Sequence, residues 1–218
     1  MSNKAFIFDL DGVIVDTAKY HYLAWRNLAN SLGFVFTEEQ NEHLKGVSRV
    51  KSLEILLEIG NINLSEGQKK ALLDEKNNEY LEYVNKMTPD EILPGVINVL
   101  DFLDKKGVKF ALGSASKNAS LILEKVDLLG RFTALVDGND VSKAKPDPEV
   151  FLIAASKLKK DPENCIVVED AIAGIQAANK AKMLSVGIGS REVLNEANYV
   201  FKDMNEIKSE FLIKILNE

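Results

Sequence analysis

The run Ala5-Phe6-Ile7-Phe8, apolar at every position and closed by Asp9, constrains the fold more than any other feature of this chain. A strand with one wet face alternates apolar and polar residues, whereas a run apolar throughout needs cover on both faces, as in a parallel sheet. Similar runs recur at Val108 to Leu112, Ala134 to Val136 and Cys165 to Val168. Helical spacing fills the gaps, at about Val96 to Lys105, Asn118 to Leu128, Pro148 to Leu158 and Ala171 to Ala181. Strands alternating with helices of this length predict right-handed crossovers and a Rossmann-like, doubly wound α/β sheet.

One stretch breaks the rhythm. The segments Thr17 to Leu32, Thr37 to Leu44, Ser48 to Ile59 and Ser65 to Lys86 read as helices with no strand between them. The simplest organisation is a core of residues 1–15 and 88–218 with a helical cap, 16–87, inserted after the first strand. No internal repeat or low-complexity tract is visible. The longest apolar run, Val150 to Ala155, is far short of the roughly 20 residues that span a bilayer. Lys4 is followed by Asp9 and Asp11 instead of the apolar stretch of a secretory signal, so no membrane contact and a cytoplasmic location are expected. The single cysteine, Cys165, reads as a buried strand residue. A net charge of −6 argues against nucleic acid as a partner, because phosphate-backbone binders need a basic excess. Nothing in the chain calls for an obligate partner, and a monomer is expected.

Asp9-Leu10-Asp11-Gly12 sits where the first strand ends, the edge at which open α/β sheets bind ligands. Two carboxylates this close repel each other, and a divalent cation or a held proton relieves the repulsion. Later strand ends carry Ser114, Lys145 in Lys145-Pro146-Asp147-Pro148, and Glu169-Asp170. Singly, each has an ordinary reading: Ser114 or Asp170 as a helix cap, Lys145 as a solvated loop lysine. Together they supply an acid pair for a metal, a cation and a hydroxyl, the requirements of phosphoryl transfer.

In order and in strand context, these residues resemble the four motifs of the haloacid-dehalogenase superfamily of aspartate-dependent phosphotransferases, over the whole chain. The resemblance implies that Asp9 is the nucleophile forming an aspartyl-phosphate and Asp11 the general acid/base. It further implies Mg²⁺ held by Asp9, the backbone carbonyl of Asp11, Glu169 and Asp170, with Ser114 and Lys145 on the transferring phosphoryl group. Lys143 competes with Lys145, but Lys-Pro-x-Pro before a helix favours Lys145. Asp16-Thr17-Ala18-Lys19-Tyr20-His21, Lys45-Gly46-Val47-Ser48-Arg49 and Ser114-Ala115-Ser116-Lys117-Asn118 are similar to the sugar-phosphate mutases of that superfamily. Those enzymes interconvert β-glucose 1-phosphate and glucose 6-phosphate through β-glucose 1,6-bisphosphate, which also primes the enzyme. A phosphatase of the same fold is the alternative, and a non-catalytic binding protein ranks last because every expected catalytic group is present.

A mutase must hold its substrate by the phosphate that is not reacting, which requires a second anion site. Arg49 offers a bidentate guanidinium, while Ser116, Lys117 and Asn118 at a helix start offer hydroxyl, ammonium, amide and backbone donors. Gly46 and Val47 allow the backbone close to a sugar; a solvated basic helix start is the competing reading of Lys45 and Arg49. His21 shares a helical stripe with Thr17, Trp25, Leu28 and Leu32, where a histidine is usually a satisfied core residue. The resemblance instead has His21 hydrogen-bond the acid/base region and pair with a cap lysine, matched by Lys76; separately, Thr17 and His21 are expected at the cap-side hinge, transmitting closure to Asp11. Trp25 reads as packing. Gly113 and Ala144 depart from the common pattern without removing a functional group.

Overall fold

The structure, a computed structural model, describes residues 3–44 and 47–217. In chain order its elements are β1 (Ala5–Phe8), α1 (Ala18–Ser31), α2 (Glu38–Glu42), α3 (Arg49–Ile59), α4 (Glu66–Val84), α5 (Val96–Lys106), β2 (Phe110–Gly113), α6 (Ala119–Lys125), β3 (Ala134–Val136), α7 (Glu149–Leu158), β4 (Cys165–Glu169), α8 (Ile172–Lys180), β5 (Leu184–Ile188), β6 (Tyr199–Phe201) and α9 (Ser209–Asn217). The six strands form one parallel sheet in the order β3-β2-β1-β4-β5-β6. Chain order reverses beside β1, so the switch point of the sheet lies at the carboxyl ends of β1 and β4, where ligands bind in such folds. None of the helices among the described residues is long and apolar enough to cross a membrane.

Period-two alternation explains why the strands are apolar throughout. Phe6 and Phe8 point to one face, where Phe110, Leu112, Ile166 and Val168 meet Leu103 of α5, Ile122 of α6 and Leu212 of α9. Ala5 and Ile7 point to the other, where Ala111 and Val167 meet Phe151 and Ala154 of α7 and Ala177 of α8. Cys165 opens β4, fully buried. Gly113 is small because a Cβ there would press on Ile7 and on the Phe151 ring.

Three parts of the C-terminal region were not read from sequence: β5, β6 and α9. In β5 the hydroxyl of Ser185 and the missing side chain of Gly187 interrupt the apolar signal. Ser185 is nonetheless fully buried, donating to Asn179 Oδ1 at 2.8 Å while its backbone N–H donates to Asn198 Oδ1 at 2.8 Å. A satisfied buried hydroxyl of this kind carries no hydropathy signal.

Four helices, α1 to α4, lie between β1 and α5. Side chains set the starts of the last three: Thr37 with Gln40 and Ser65 with Gln68 form capping boxes, and Ser48 accepts from the Lys51 N–H. Trp25, Leu28, Phe36, Leu53, Leu56 and Leu57 form a separate small core. The two strands of backbone that lead into and out of the insertion pair with each other, Leu93 N–H donating to the Ile14 carbonyl at 2.9 Å. Glu91 then accepts from Lys19 Nζ and from the Tyr20 hydroxyl, each at 2.6 Å.

The ring of Phe8 meets those of Phe110 and Phe132 edge to face, at centroid distances of 6.0 and 6.5 Å. Phe8→Ala should therefore destabilise the protein by about 3–5 kcal/mol. Urea denaturation monitored by circular dichroism measures this, and a loss under about 1 kcal/mol would show that the cluster tolerates collapse.

Candidate active site

Asp9 follows β1 directly and its N–H donates to the Val168 carbonyl at 2.9 Å, which places its side chain beside the end of β4. The chain then turns tightly: Gly12, at φ +78°, donates to the Val15 carbonyl at 2.8 Å. Positive φ favours glycine there, and a second constraint adds to it, because the Asp170 carboxylate fills the space a Cβ would occupy. Glu169 ends β4 and its carboxylate likewise lies where a Cβ of Gly174 would be. Two glycines thus make room for two of the site's acids, Glu169 and Asp170.

Lys145 resolves the competition with Lys143. Its ammonium lies 2.6 Å from both Asp9 Oδ1 and Glu169 Oε1, with 2% of the side chain exposed, above the ring of Phe151 at 4.8 Å. Lys143 points outward with 70% exposure. The remaining Glu169 oxygen accepts from the Ala171 N–H at 2.7 Å, so Glu169 both clamps Lys145 and fixes the start of α8. Ser114 follows β2; its Oγ accepts from the Ser116 N–H at 3.0 Å, which leaves its own proton to donate.

The charge balance of this cluster is uneven. Burial raises the Asp9 carboxyl, Lys145 lowers it and Glu169 raises it again, to a net value of about 6. Burial and then the Asp9 charge push Asp11 up to about 8. Asp170 is raised well above the carboxylate range by burial and then by Glu169, Asp9 and Asp11. Burial opposes the charge on Lys145, but Asp9 and Glu169 outweigh it and hold the ammonium protonated.

Such a cluster suits a hard divalent cation. Asp11 Oδ1 is buried and without a hydrogen-bond partner among the described residues, and the Asp170 carboxylate is pressed into the cradle over Gly12. Among those residues no three acidic, histidine or cysteine side chains close a cage by themselves. That fits Mg²⁺, which is commonly held by one or two carboxylates together with water and substrate phosphate. Of the four acids expected as ligands, Asp9, Asp11 and Asp170 face this space, while both oxygens of Glu169 are engaged by protein donors.

A cavity of about 470 Å³ opens over these groups, with Asp9, Asp11, Ser114, Lys145, Glu169 and Asp170 on its sheet side. Val47 and Arg49 at the start of α3 line it from the helical insertion, and Ser116 and Lys117 from the core. Arg49 has no hydrogen-bond or ion-pair partner among the described residues, and burial lowers its pKa. Lys45 and Gly46 lie outside the described residues. Asn118 is placed differently: it is not on the cavity wall, and its Nδ2 donates to Asn77 Oδ1 of α4 at 3.2 Å, joining core to insertion.

Lys76 and His21 meet as the resemblance implies, Nζ to Nδ1 at 2.7 Å. Burial, then Lys76 and Arg49, hold His21 well below its ordinary pKa, so it is neutral. When Lys76 is an ammonium it can only donate, and in that state Nδ1 accepts and Nε2 carries the ring proton. Trp25 lines the cavity and stacks under the Lys76 ammonium at 4.6 Å, with Tyr80 at 4.8 Å on another side. Thr17 is fully buried at the start of α1. Its hydroxyl, the Tyr80 hydroxyl and Asp11 Oδ1 are all without partners among the described residues, and the Tyr80 phenol feels both Asp11 and Thr17. Tyr80 was not anticipated, although it lies one helical turn beyond Lys76 and so shares its face.

A family model described as haloacid dehalogenase-like hydrolase matches residues 3–182. The chain is 40% identical over 211 residues to the β-phosphoglucomutase of Bacillus subtilis, covering 96% of this chain and 93% of that protein. It is 31% identical over 220 residues to a phosphorylated carbohydrates phosphatase of Thermotoga maritima, covering 99% of each. A crystal structure of β-phosphoglucomutase from Clostridium difficile matches it with a TM-score of 0.94 at 44% identity, over 98% of this chain and 97% of that one.

Burial, reinforced by Arg49, brings Lys76 down to about 7. The ionised lysine is penalised in the folded protein, fully below that pH, and the penalty fades as pH rises toward the unfolded value of about 10.4. Lys76→Met should be more stable than the parent at about pH 6 and lose that advantage by about pH 10. Denaturant midpoints across this range test it; a difference independent of pH contradicts the assignment.

Proposed function

The chain belongs to the haloacid dehalogenase-like hydrolases, and from that membership and its site we propose a Mg²⁺-dependent β-phosphoglucomutase that interconverts β-glucose 1-phosphate and glucose 6-phosphate. The observation that carries this reading is the single cavity shared by two kinds of phosphate-binding group. The Asp9–Lys145 cluster serves the reacting phosphate, while Arg49, Ser116 and Lys117 serve the distal one. A phosphatase needs only the first. We further propose that residues 16–87 act as a cap and that the enzyme is a cytoplasmic monomer.

Asp9 attacks the C1 phosphorus of β-glucose 1,6-bisphosphate through a carboxylate oxygen, forming an O–P bond as the bond from phosphorus to the C1 oxygen breaks and glucose 6-phosphate leaves. Lys145 and Ser114 donate to the oxygens of the phosphoryl group in flight. Asp11, raised to about 8, carries a proton at neutral pH and gives it to the departing sugar oxygen. As a carboxylate it then takes the proton from the 6-hydroxyl of β-glucose 1-phosphate as the phosphoryl group passes from Asp9 to that oxygen and the bisphosphate re-forms. β-Glucose 1,6-bisphosphate is the intermediate of that sequence and the primer that first loads Asp9. The Asp9 and Asp170 carboxylates and the backbone carbonyl of Asp11 would hold Mg²⁺, with Glu169 clamping Lys145 behind them; the ion would supply charge neutralisation between the carboxylates and the incoming phosphate.

The protein incubated with β-glucose 1-phosphate, Mg²⁺ and a trace of the bisphosphate should yield glucose 6-phosphate well in excess of free phosphate. Asp9→Asn should abolish turnover while keeping the fold, and rapid quenching should trap phosphate on Asp9 of the parent. Phosphate as the main product would instead establish the phosphatase.

Discrimination against water follows from the second anion site. Closure over a substrate gripped by Arg49 excludes water and brings Asp11 into use. Arg49→Ala should lose mutase turnover on the order of 100-fold while hydrolysis of acetyl phosphate changes little. Equal losses in the two assays would remove the gating role.

A further inference from the structure

The chain between β3 and α7 brings two lysines toward the cavity in quick succession, and only one enters the site. Lys143 and Lys145 lie two residues apart on a loop whose residues from Val141 to Lys145 line the cavity. A slip of the loop would offer the wrong ammonium.

Glu149, the first residue of α7, holds this loop from behind. Its Oε2 accepts from the Ser142 N–H at 2.9 Å and from the Lys143 N–H at 2.6 Å, and the Ser142 hydroxyl donates to both carboxylate oxygens at 3.0 Å. The Lys143 N–H is the chief reason its carboxyl sits below the ordinary range. The loop also closes on itself: the Glu149 N–H donates to Asp147 Oδ1 at 3.1 Å, and the Asp147 N–H to the Ala144 carbonyl at 3.0 Å. Two residues beyond Glu149 on the same helix, Phe151 forms the floor beneath the Lys145 ammonium. One turn of α7 therefore fixes the loop at residues 142–143 and supports its tip at Lys145.

We propose that Glu149 is a positioning residue for phosphoryl transfer: it sets the register of the loop so that Lys145, and not Lys143, reaches Asp9 and Glu169. Glu149 touches none of the reacting groups and acts only through Lys145. The proposal rests on the phosphoryl-transfer reading for what Lys145 does, but not for how the loop is held. Misplacement by about 1 Å at a reacting centre costs on the order of 100-fold in rate.

The test uses the full-length protein with Glu149→Ala and Glu149→Gln, the latter isosteric and retaining one accepting oxygen. Lysines are acetylated under limiting acetic anhydride and quantified by mass spectrometry, and kcat and KM for β-glucose 1-phosphate are measured on the same preparations. In the parent, Lys143 should label readily and Lys145 hardly at all. In Glu149→Ala the labelling of Lys145 relative to Lys143 should rise about tenfold or more, with kcat down roughly 10- to 100-fold, KM little changed, and Glu149→Gln between the two. Should Glu149→Ala fail to fold, Glu149→Gln carries the same comparison. Unchanged protection of Lys145 in a folded variant overturns the proposal, even if kcat falls, because the loss then reflects helix stability. A parent without mutase or phosphatase turnover would count against the proposed function, and the labelling ratio would still decide the latch.

Discussion

One buried ammonium holds the site together. Lys145 sits between Asp9 and Glu169, with Asp11 raised by Asp9, and Asp170 raised by Glu169, Asp9 and Asp11, so one ammonium is set among four acids. A buried ion pair contributes little net stability, yet removing one partner leaves an uncompensated charge that is expensive. The acids cannot be spread apart either, because β1 and β4 are neighbours in register, Phe8 beside Val168, and deliver Asp9 and Glu169 side by side. The topology therefore creates a deficit of positive charge that a divalent cation relieves, and the close approach over Gly12 and Gly174 follows from packing so many carboxylates into so little space.

Charge on the facing side runs the other way. Burial lowers both Arg49 and Lys76, Arg49 depresses Lys76 further, and His21 beside them is neutral. A roof of half-desolvated cations over a floor of surplus acids complements a particular combination of ligands, a divalent cation below and a phosphate ester above. Lys76 makes its close contacts with His21 and the rings of Trp25 and Tyr80, and reaches the carboxylates only through the longer-range attraction between it and Asp11.

The parts of this design that sequence disclosed are those whose signal is local. Asp9 and Asp11 close an apolar run, and a strand covered on both faces leaves that run unmistakable. The choice of Lys145 over Lys143 came from the proline pattern around it. Features made by distant partners stayed hidden: Asn118 meets Asn77 across 41 residues of chain, and the Tyr80 hydroxyl gains its meaning from Asp11 and Thr17. Ser185 erased the strand signal of β5 by being polar, and only the Asn179 and Asn198 side chains explain why it can be buried.

A mutase that must let its bisphosphate turn over needs a helical insertion that shuts firmly with substrate and weakly without it. The insertion has its own core around Trp25 and Leu56, so it keeps its shape without the sheet. Near the linkers it is tied by Glu91 to Lys19 and Tyr20, contacts that lie at the pivot and need not break. Farther out, the side-chain hydrogen bond joining it to the core among the described residues is Asn118 to Asn77, a neutral pair worth about 0.5–1.5 kcal/mol. Ala24, Tyr80 and Val84 of the insertion also pack into the main core. Under the proposed function, a substrate phosphate that brings Arg49 and Lys117 onto the same molecule adds a charged bridge to that packing and to the neutral pair, so the substrate's second phosphate joins insertion to core across the cavity.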